Sequence, residues 1–388
     1  TTIDAVFSAV KRDRKFWVME MPPGMDERDG DSRVPMSPER HFTYFARHWL
    51  RGAALCSMWH FRRHRGGHEM MNAACRNHDG TMAWSYEGVK RAGRLVAQHG
   101  DLLRQNRPVR RAAILTTYED RLLAHIHARH LYVSGGGPVE AVVPWVRALE
   151  RRGVGVAFAG PDEELASYGM VLAPHSYLLT PSMTRNLRGY VEGGGVLVGF
   201  GGMGRFDRFG RALTEPPPGC VRTLFGCTVG PAKQVGETEL IAAGGQGPWE
   251  DSRFHARRGY ILYPDDAEIV AVYDDFAVNG NAAITRRSAG RGWTVMVGLQ
   301  GESDDTRERM VEGLLRHTGL SFRDPDPEGL ERIEGTHLTG YINTTADRRL
   351  KVVLDKERTD LVSGHRARSF TLEPWQVAIV DSGLQIAD

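Results

Sequence analysis

Two glutamates stand where carboxylate chemistry is most economically built. Glu20 ends the apolar run Phe16-Trp17-Val18-Met19, and the chain then turns on Pro22-Pro23-Gly24. Glu69 closes the loop Arg65-Gly66-Gly67-His68, which follows a second apolar run, Ala53 to Phe61. A carboxylate is costly to bury in a core strand, so at a strand end it faces a site or pairs with arginine. The carboxyl ends of parallel strands are also where a β/α barrel carries its catalytic groups. Carboxylates in such a setting are candidate catalytic groups.

Rival chemistries are weaker. No cysteine lies between Cys75 and Cys220, and the spacing of Cys56, Cys75, Cys220 and Cys227 fits no CxxC zinc pair. Pro174-His175-Ser176-Tyr177 brings Ser and His together in sequence, but a triad is defined by geometry and a third orienting group. Gly199 to Gly204 follows a strand yet lacks the P-loop lysine and the ribose-binding acid, so it reads as a flexible turn. His127 and His130 share a helix face while His125 points away, with no carboxylate at ligand spacing, so no metal is expected there. His64 and His68 flank the Gly66-Gly67 turn and read as loop or pocket residues. No metal and no cofactor is expected.

The elements that position the glutamates follow from periodicity. Phe16–Glu20 and Ala53–Phe61 read as strands. Ser37 caps a helix to Leu50 with Pro38 in its first turn and Phe42, Phe45, Ala46 and Trp49 on one face. Strand, helix, strand is the unit of a parallel α/β fold, and it puts Glu20 and Glu69 at the same end of neighbouring strands. A further helix, Ser85 to Leu103, carries Val89, Ala92, Leu95, Val96 and Leu102 on one face and is broken at Asn106-Arg107-Pro108.

From residue 108 to 320 strands and helices alternate, which predicts a doubly wound parallel sheet. The strands are Ala112–Leu115, Val154–Phe158, Met170–Ala173, Val196–Val198, Ala267–Tyr273 and Trp293–Val297; the helices are Pro138–Arg152, Ser182–Val191 and Thr306–His317. After the linker Asp324-Pro325-Asp326-Pro327, short strands at Thr339–Asn343, Leu350–Leu354, Ser369–Leu372 and Val377–Val380 predict a small antiparallel β domain.

These residues resemble glycoside hydrolase family 42, the retaining β-galactosidases. Phe16-Trp17-Val18-Met19-Glu20 fits the aromatic-Trp-x-Met-Glu motif that presents the family's nucleophile, and Arg65-Gly66-Gly67-x-Glu69 fits its sugar-binding eighth-strand loop. Asn77-His78-Asp79-Gly80 and the helix after it fit the last barrel segment. The resemblance implies the end of a TIM (β/α)8 barrel over residues 1–107, a doubly wound glutamine amidotransferase-like trimerisation domain over 108–320, and a small antiparallel β domain over 321–388. It implies Glu20 as nucleophile and Glu69, Trp59, Phe61 and Asn72 as substrate-binding residues. It implies a terminal β-linked galactose or related sugar as substrate and a homotrimer as the assembly.

Departures from the family pattern accompany the match. Asn72 stands where the family has histidine, Asp26-Glu27-Arg28-Asp29 occupies a loop that usually carries tryptophan, and Phe61-Arg62 replaces Trp-Arg. The family's acid/base glutamate follows an asparagine, and no Asn-Glu pair occurs in the 388 residues. Only about two strands precede residue 107, where a barrel needs eight in roughly 250 residues. The chain, which begins Thr1-Thr2, reads as the carboxyl-terminal portion of a longer polypeptide that supplies the acid/base, together with the barrel cysteines through which family members bind a structural zinc. From another class, a non-catalytic carbohydrate-binding or assembly protein built on the last two domains also fits the missing acid/base.

Composition bounds the partners. Net charge is +2 with charged residues at 25% and hydrophobic residues at 41%, an ordinary globular balance without an electrostatic case for nucleic acid. No run reaches the apolar length of a membrane span, and a cytoplasmic setting is expected.

Overall fold

The computed structural model describes residues 16–21, 25–28, 32–126, 138–234, 240–244, 249–274 and 278–382. Among the described residues, contacts gather 110–324 into one compact unit, and those before 110 with those from 325 on into another.

The second unit begins with β1 (Phe16–Val18), which runs parallel to β4 (Ala53–Cys56). Between them lie a hairpin of β2 (Met25–Arg28) and β3 (Ser32–Pro35) and helix α1 (Pro38–Leu50). The sequence builds α1 at both ends. The Ser37 hydroxyl accepts the Arg40 N–H at 3.2 Å, Pro38 opens the first turn, Glu39 sits at the positive end and Arg47 and His48 at the negative end. Phe42, Phe45, Ala46 and Trp49 are buried, as the spacing predicts.

Helix α2 (Tyr86–Gln105) crosses α1 closely enough that a Cβ on Gly88 would stand 2.3 Å from the Pro38 carbonyl oxygen. Its buried stripe follows Gly88, Ala92, Leu95 and Leu103; Val96, predicted inward, is exposed because the contact runs along the Gly88–Leu95 side and leaves Val96 at its margin. Strands β1 and β4 are shorter than predicted. Their ladder stops at Val18 and Cys56, and Trp17 and Leu55, which are register partners, are both exposed.

The other unit holds an eleven-stranded sheet among the described residues. In chain order it contains β5 (Ala112–Leu115), α3 (Tyr118–Ile126), α4 (Pro138–Arg151), β6 (Val156–Ala159), β7 (Met170–Ala173), α5 (Pro181–Glu192), β8 (Val196–Phe200) and α6 (Arg222–Phe225). There follow β9 (Cys227–Gln234), β10 (Leu240–Gly244), β11 (Arg253–Pro264), β12 (Glu268–Tyr273), β13 (Ala282–Ala289), β14 (Gly292–Val297), β15 (Leu299–Glu302) and α7 (Asp304–Thr318). Strands β6, β5, β7, β8 and β14 lie parallel in that order. The remainder is antiparallel, so the sheet is mixed rather than parallel throughout. The reason is connectivity: among the described residues no α-helix intervenes between β9 and β15, and strands joined without a crossover pair antiparallel.

Both faces of the parallel half are dry. Ile114, Phe158, Leu172 and Val198 meet Trp145, Val146 and Leu149 of α4 and Met310, Val311 and Leu314 of α7. Leu115, Ala157, Val171 and Leu197, one residue out of phase, meet Leu123 of α3, Leu187 and Val191 of α5 and Phe225 of α6. Burial on both faces is why these strands read as unbroken apolar runs. The glycine run does turn the chain after β8, over residues 201–204, and it is also a packing site. Gly199 lies inside β8, and Cβ atoms on Gly199, Gly201 and Gly202 would strike Phe225, Tyr260 and Tyr177 at 2.3–2.7 Å.

Back in the second unit, β16 (Leu330–Glu334), β17 (Leu338–Asn343) and β20 (Val377–Asp381) form one antiparallel sheet, and β18 (Leu350–Thr359) with β19 (Arg366–Leu372) another. Leu330, Tyr341, Val352, Leu354, Phe370, Leu372, Ala378 and Val380 fill the space between them. Polar contacts fasten this part to α1 and α2. Arg47 and Arg51 pair with Glu331, and the Thr43 hydroxyl donates to the Trp375 carbonyl at 2.7 Å. Buried Asn106 donates to the Leu50 carbonyl and accepts the His337 and Leu338 N–H groups. Asp326, in the predicted linker, is buried and holds Arg332 at 2.6 Å.

Candidate active site

Strands β1 and β4 aim their carboxyl ends the same way, and hydrogen bonds keep the two chains together beyond the ladder. The Ser57 N–H donates to the Val18 carbonyl at 2.8 Å and the Trp59 N–H to the Met21 carbonyl at 3.3 Å. Met21 is buried and anchors this turn, while the Glu20 side chain between those two contacts is exposed.

From Trp59 the chain enters the loop that carries Glu69. The Trp59 indole N–H donates to Glu69 Oε2 at 2.9 Å. An Asn72 N–H to Glu69 carbonyl bond of 3.0 Å and a Met70 N–H to Gly67 carbonyl bond of 3.3 Å turn the backbone around the carboxylate. Gly67 adopts φ +85° with open space where a Cβ would stand, so its left-handed backbone, not crowding, is what calls for glycine. Returning chain clamps the loop's first half: Arg76 and Phe61, Arg63 and Arg76 exchange backbone hydrogen bonds, and the His78 ring bonds the His64 carbonyl at 2.8 Å. The turn Asn77–Gly80 is closed by Asp79, whose carboxylate accepts both the Thr81 N–H and hydroxyl, holding it below the usual carboxylate range.

The structure therefore brings Glu20, Trp59 and Glu69 to one end of the β1/β4 pair. Phe61 is exposed and meets Tyr86 edge-on at 6.5 Å; Asn72 is half-buried behind Glu69. Arg62 and Arg65 are exposed, and among the described residues neither forms an ion pair with Glu20 or Glu69. Sequence reading missed His60, hidden in the apolar run. Its side chain is 6% exposed, its Nδ1 stands 4.0 Å from Glu69 Oε2, and its ring stacks on His64 at 4.5 Å between centroids. Burial, and then the His64 charge, hold the His60 imidazole below its ordinary pKa against the pull of Glu69. The His60/His64 spacing of four residues was the available signal.

Three of the four cysteines are poor rivals as nucleophiles, because burial disfavours their thiolates. Burial pushes Cys56 up to about 12 and Cys227 up to about 11, and raises Cys75. In the other unit His175 bonds the Tyr177 hydroxyl at 3.0 Å, while Ser176 is buried. Burial pushes His175 down to about 4. His127 and His130 lie outside the described residues, as does the side chain of His125.

One unit holds a mixed sheet with helices on both faces, and the other a parallel strand pair whose carboxyl end carries an exposed glutamate, so the class is a mixed α/β protein. The family profile described as the beta-galactosidase trimerisation domain matches residues 111–321. The chain belongs to the glycoside hydrolase family 42 beta-galactosidases. A beta-galactosidase of Haloferax lucentense is 24% identical over 380 residues, covering 96% of this chain and 53% of that protein. One of Halorubrum lacusprofundi is 27% identical over 359 residues, covering 89% and 49%. A solved GH42 beta-galactosidase from G. stearothermophilus shares the fold at TM-score 0.86 with 18% identity, over 98% of this chain and 55% of that one. The chain thus spans about half the length of the curated relatives it matches. Among the described residues no helix is long and apolar enough to cross a membrane.

Proposed function

We propose that these residues form part of a retaining exo-glycosidase that hydrolyses a terminal β-linked galactose or related sugar, with Glu20 as the nucleophile. The observation that carries this reading is that Glu20 follows the carboxyl end of the parallel β1/β4 pair, next to Met21, whose carbonyl accepts the Trp59 N–H, while the Trp59 indole holds Glu69. In such chemistry one carboxylate attacks the anomeric carbon to form a glycosyl-enzyme. A second carboxyl group about 5 Å away protonates the leaving oxygen and then activates water. Glu69 accepts hydrogen bonds from sugar hydroxyls, Trp59 and Phe61 offer their exposed faces to the sugar's C–H side, and Asn72 helps shape the pocket.

The acid/base comes from polypeptide outside these residues, in keeping with the lack of any Asn-Glu pair. The exposed apolar face of Trp17, Met19 and Leu55 supports the same idea, since further barrel strands would cover it. On this reading residues 1–107 complete a β/α barrel, 108–320 form an amidotransferase-like domain that packs three subunits, and 321–388 form the terminal β domain.

The test is Glu20→Gln in the intact parent enzyme. Turnover of an aryl β-galactoside drops by several orders of magnitude with the fold unchanged, because size and most hydrogen bonding survive while the attacking charge is lost. Azide restores part of the activity of Glu20→Gly by acting as an external nucleophile. Near-normal turnover of Glu20→Gln refutes the assignment.

A further inference from the structure

We propose that His60, His64 and Glu69 form a binding site for a zinc-class divalent cation. Among the described residues they are the one group of three potential ligands gathered together, with one donor atom from each lying within 4.8 Å of the others. A second observation points to a ligand. His60 is buried, yet neither of its ring nitrogens has a hydrogen-bond partner. A buried polar atom without a partner is costly to leave so, and an imidazole in this state is held ready for something that takes its lone pair.

The donor set selects the ion. Two imidazoles and one carboxylate match Zn²⁺ and its neighbours, whereas Mg²⁺ and Ca²⁺ prefer oxygen alone. Three protein ligands leave a fourth position for water. A tetrahedral zinc with bonds of roughly 2.0–2.2 Å sets its donors about 3.4 Å apart, so the cluster must tighten by about 1 Å. His60 is fixed by burial, and the adjustment falls to His64, which is exposed, and to Glu69, whose side chain is 42% exposed. Supporting contacts are already in place: the Trp59 indole holds Glu69, and the His78 ring holds the His64 backbone.

Coordination needs only these three side chains and does not depend on the glycosidase reading. One consequence does rest on that reading: Glu69 would serve either the cation or a sugar hydroxyl, so the two would bind antagonistically.

The test is a zinc titration of the metal-stripped 388-residue chain against a chromophoric chelator, with Co²⁺ as a spectroscopic substitute. One tight site is expected, with Co²⁺ absorption free of a thiolate charge-transfer band. His64→Ala and Glu69→Gln, both at solvent-facing side chains, each weaken it by at least the ~10–100-fold that loss of an outer-shell partner costs. His68→Ala leaves it unchanged. A parent chain without a tight site, a His64→Ala variant that binds as tightly as the parent, or a sulfur band in the Co²⁺ spectrum each overturns the proposal. Because the readout is metal alone, that failure leaves the assignment of Glu20 untouched.

Discussion

Replacing Asp120 by asparagine should flatten the pH dependence of the 110–324 unit. Asp120 is 3% exposed; Oδ1 accepts the Leu178 N–H at 3.0 Å and Oδ2 the Thr117 hydroxyl at 2.8 Å. Burial outweighs those bonds and pushes its pKa up to about 7. In the unfolded chain the value is about 3.9. Between these two values the native state keeps a proton that the unfolded chain has released. Native stability is therefore fully present below about pH 4, falls as pH rises, and has lost this contribution above about pH 7. Each pH unit is worth about 1.4 kcal/mol, so the interval from pH 5 to pH 7 costs roughly 3 kcal/mol. Asparagine keeps an acceptor for Leu178 and cannot ionise. Urea unfolding of parent and Asp120→Asn at pH 5 and pH 8, read on the transition of the unit that buries Trp145 and Trp249, should show the variant gaining roughly 3 kcal/mol on the parent between the two conditions. Glu302, which burial also pushes up to about 7, contributes the same background to both proteins and cancels. A variant whose stability falls with pH in parallel with the parent would refute the argument.

In the intact enzyme Glu69→Ala should lower kcat/KM by about ten- to a hundredfold, the worth of one charged hydrogen bond of roughly 1.5–3 kcal/mol, with KM carrying much of the change in steady-state assays. The departures at Asn72 and Arg28 predict that aryl arabinopyranosides, fucosides or glucosides compete with galactosides; a wide preference for galactose in a substrate screen contradicts this. Asn106→Ala should destabilise the unit that joins α1, α2 and β17 by roughly 1–3 kcal/mol, because it strands the buried N–H of Leu338 and removes the acceptor of the part-buried His337 N–H; chemical unfolding measures it. Light scattering on the intact enzyme should give three times the monomer mass, and a fully active monomer at micromolar concentration argues against the trimer.

The sequence by itself determined the elements whose signals are local. Ser37 and Pro38 start α1 at the residue the structure shows, because a cap and a fixed φ act within one turn. Ala112–Leu115 and Met170–Ala173 were legible because strands buried on both faces must be apolar at every position. The motif ending at Glu20 and the Gly-Gly loop before Glu69 were equally plain, since each is a short stretch whose chemistry depends on its own order. Tertiary structure alone decided the rest. Within the antiparallel half of the large sheet, β12 was legible at Ala267–Tyr273, but its antiparallel pairing was not, and strands such as β11, Arg253–Pro264, escaped reading because they carry exposed arginines and owe their pairing to neighbouring strands. The glycines at 199–202 look like a loop in sequence, and only the rings of Phe225, Tyr260 and Tyr177 reveal that they are contact points. His60 reads as one more member of an apolar run until the fold buries it without a partner beside His64 and Glu69. Burial and the loss of water set what an imidazole does there, and both arise only when segments far apart in the chain come together.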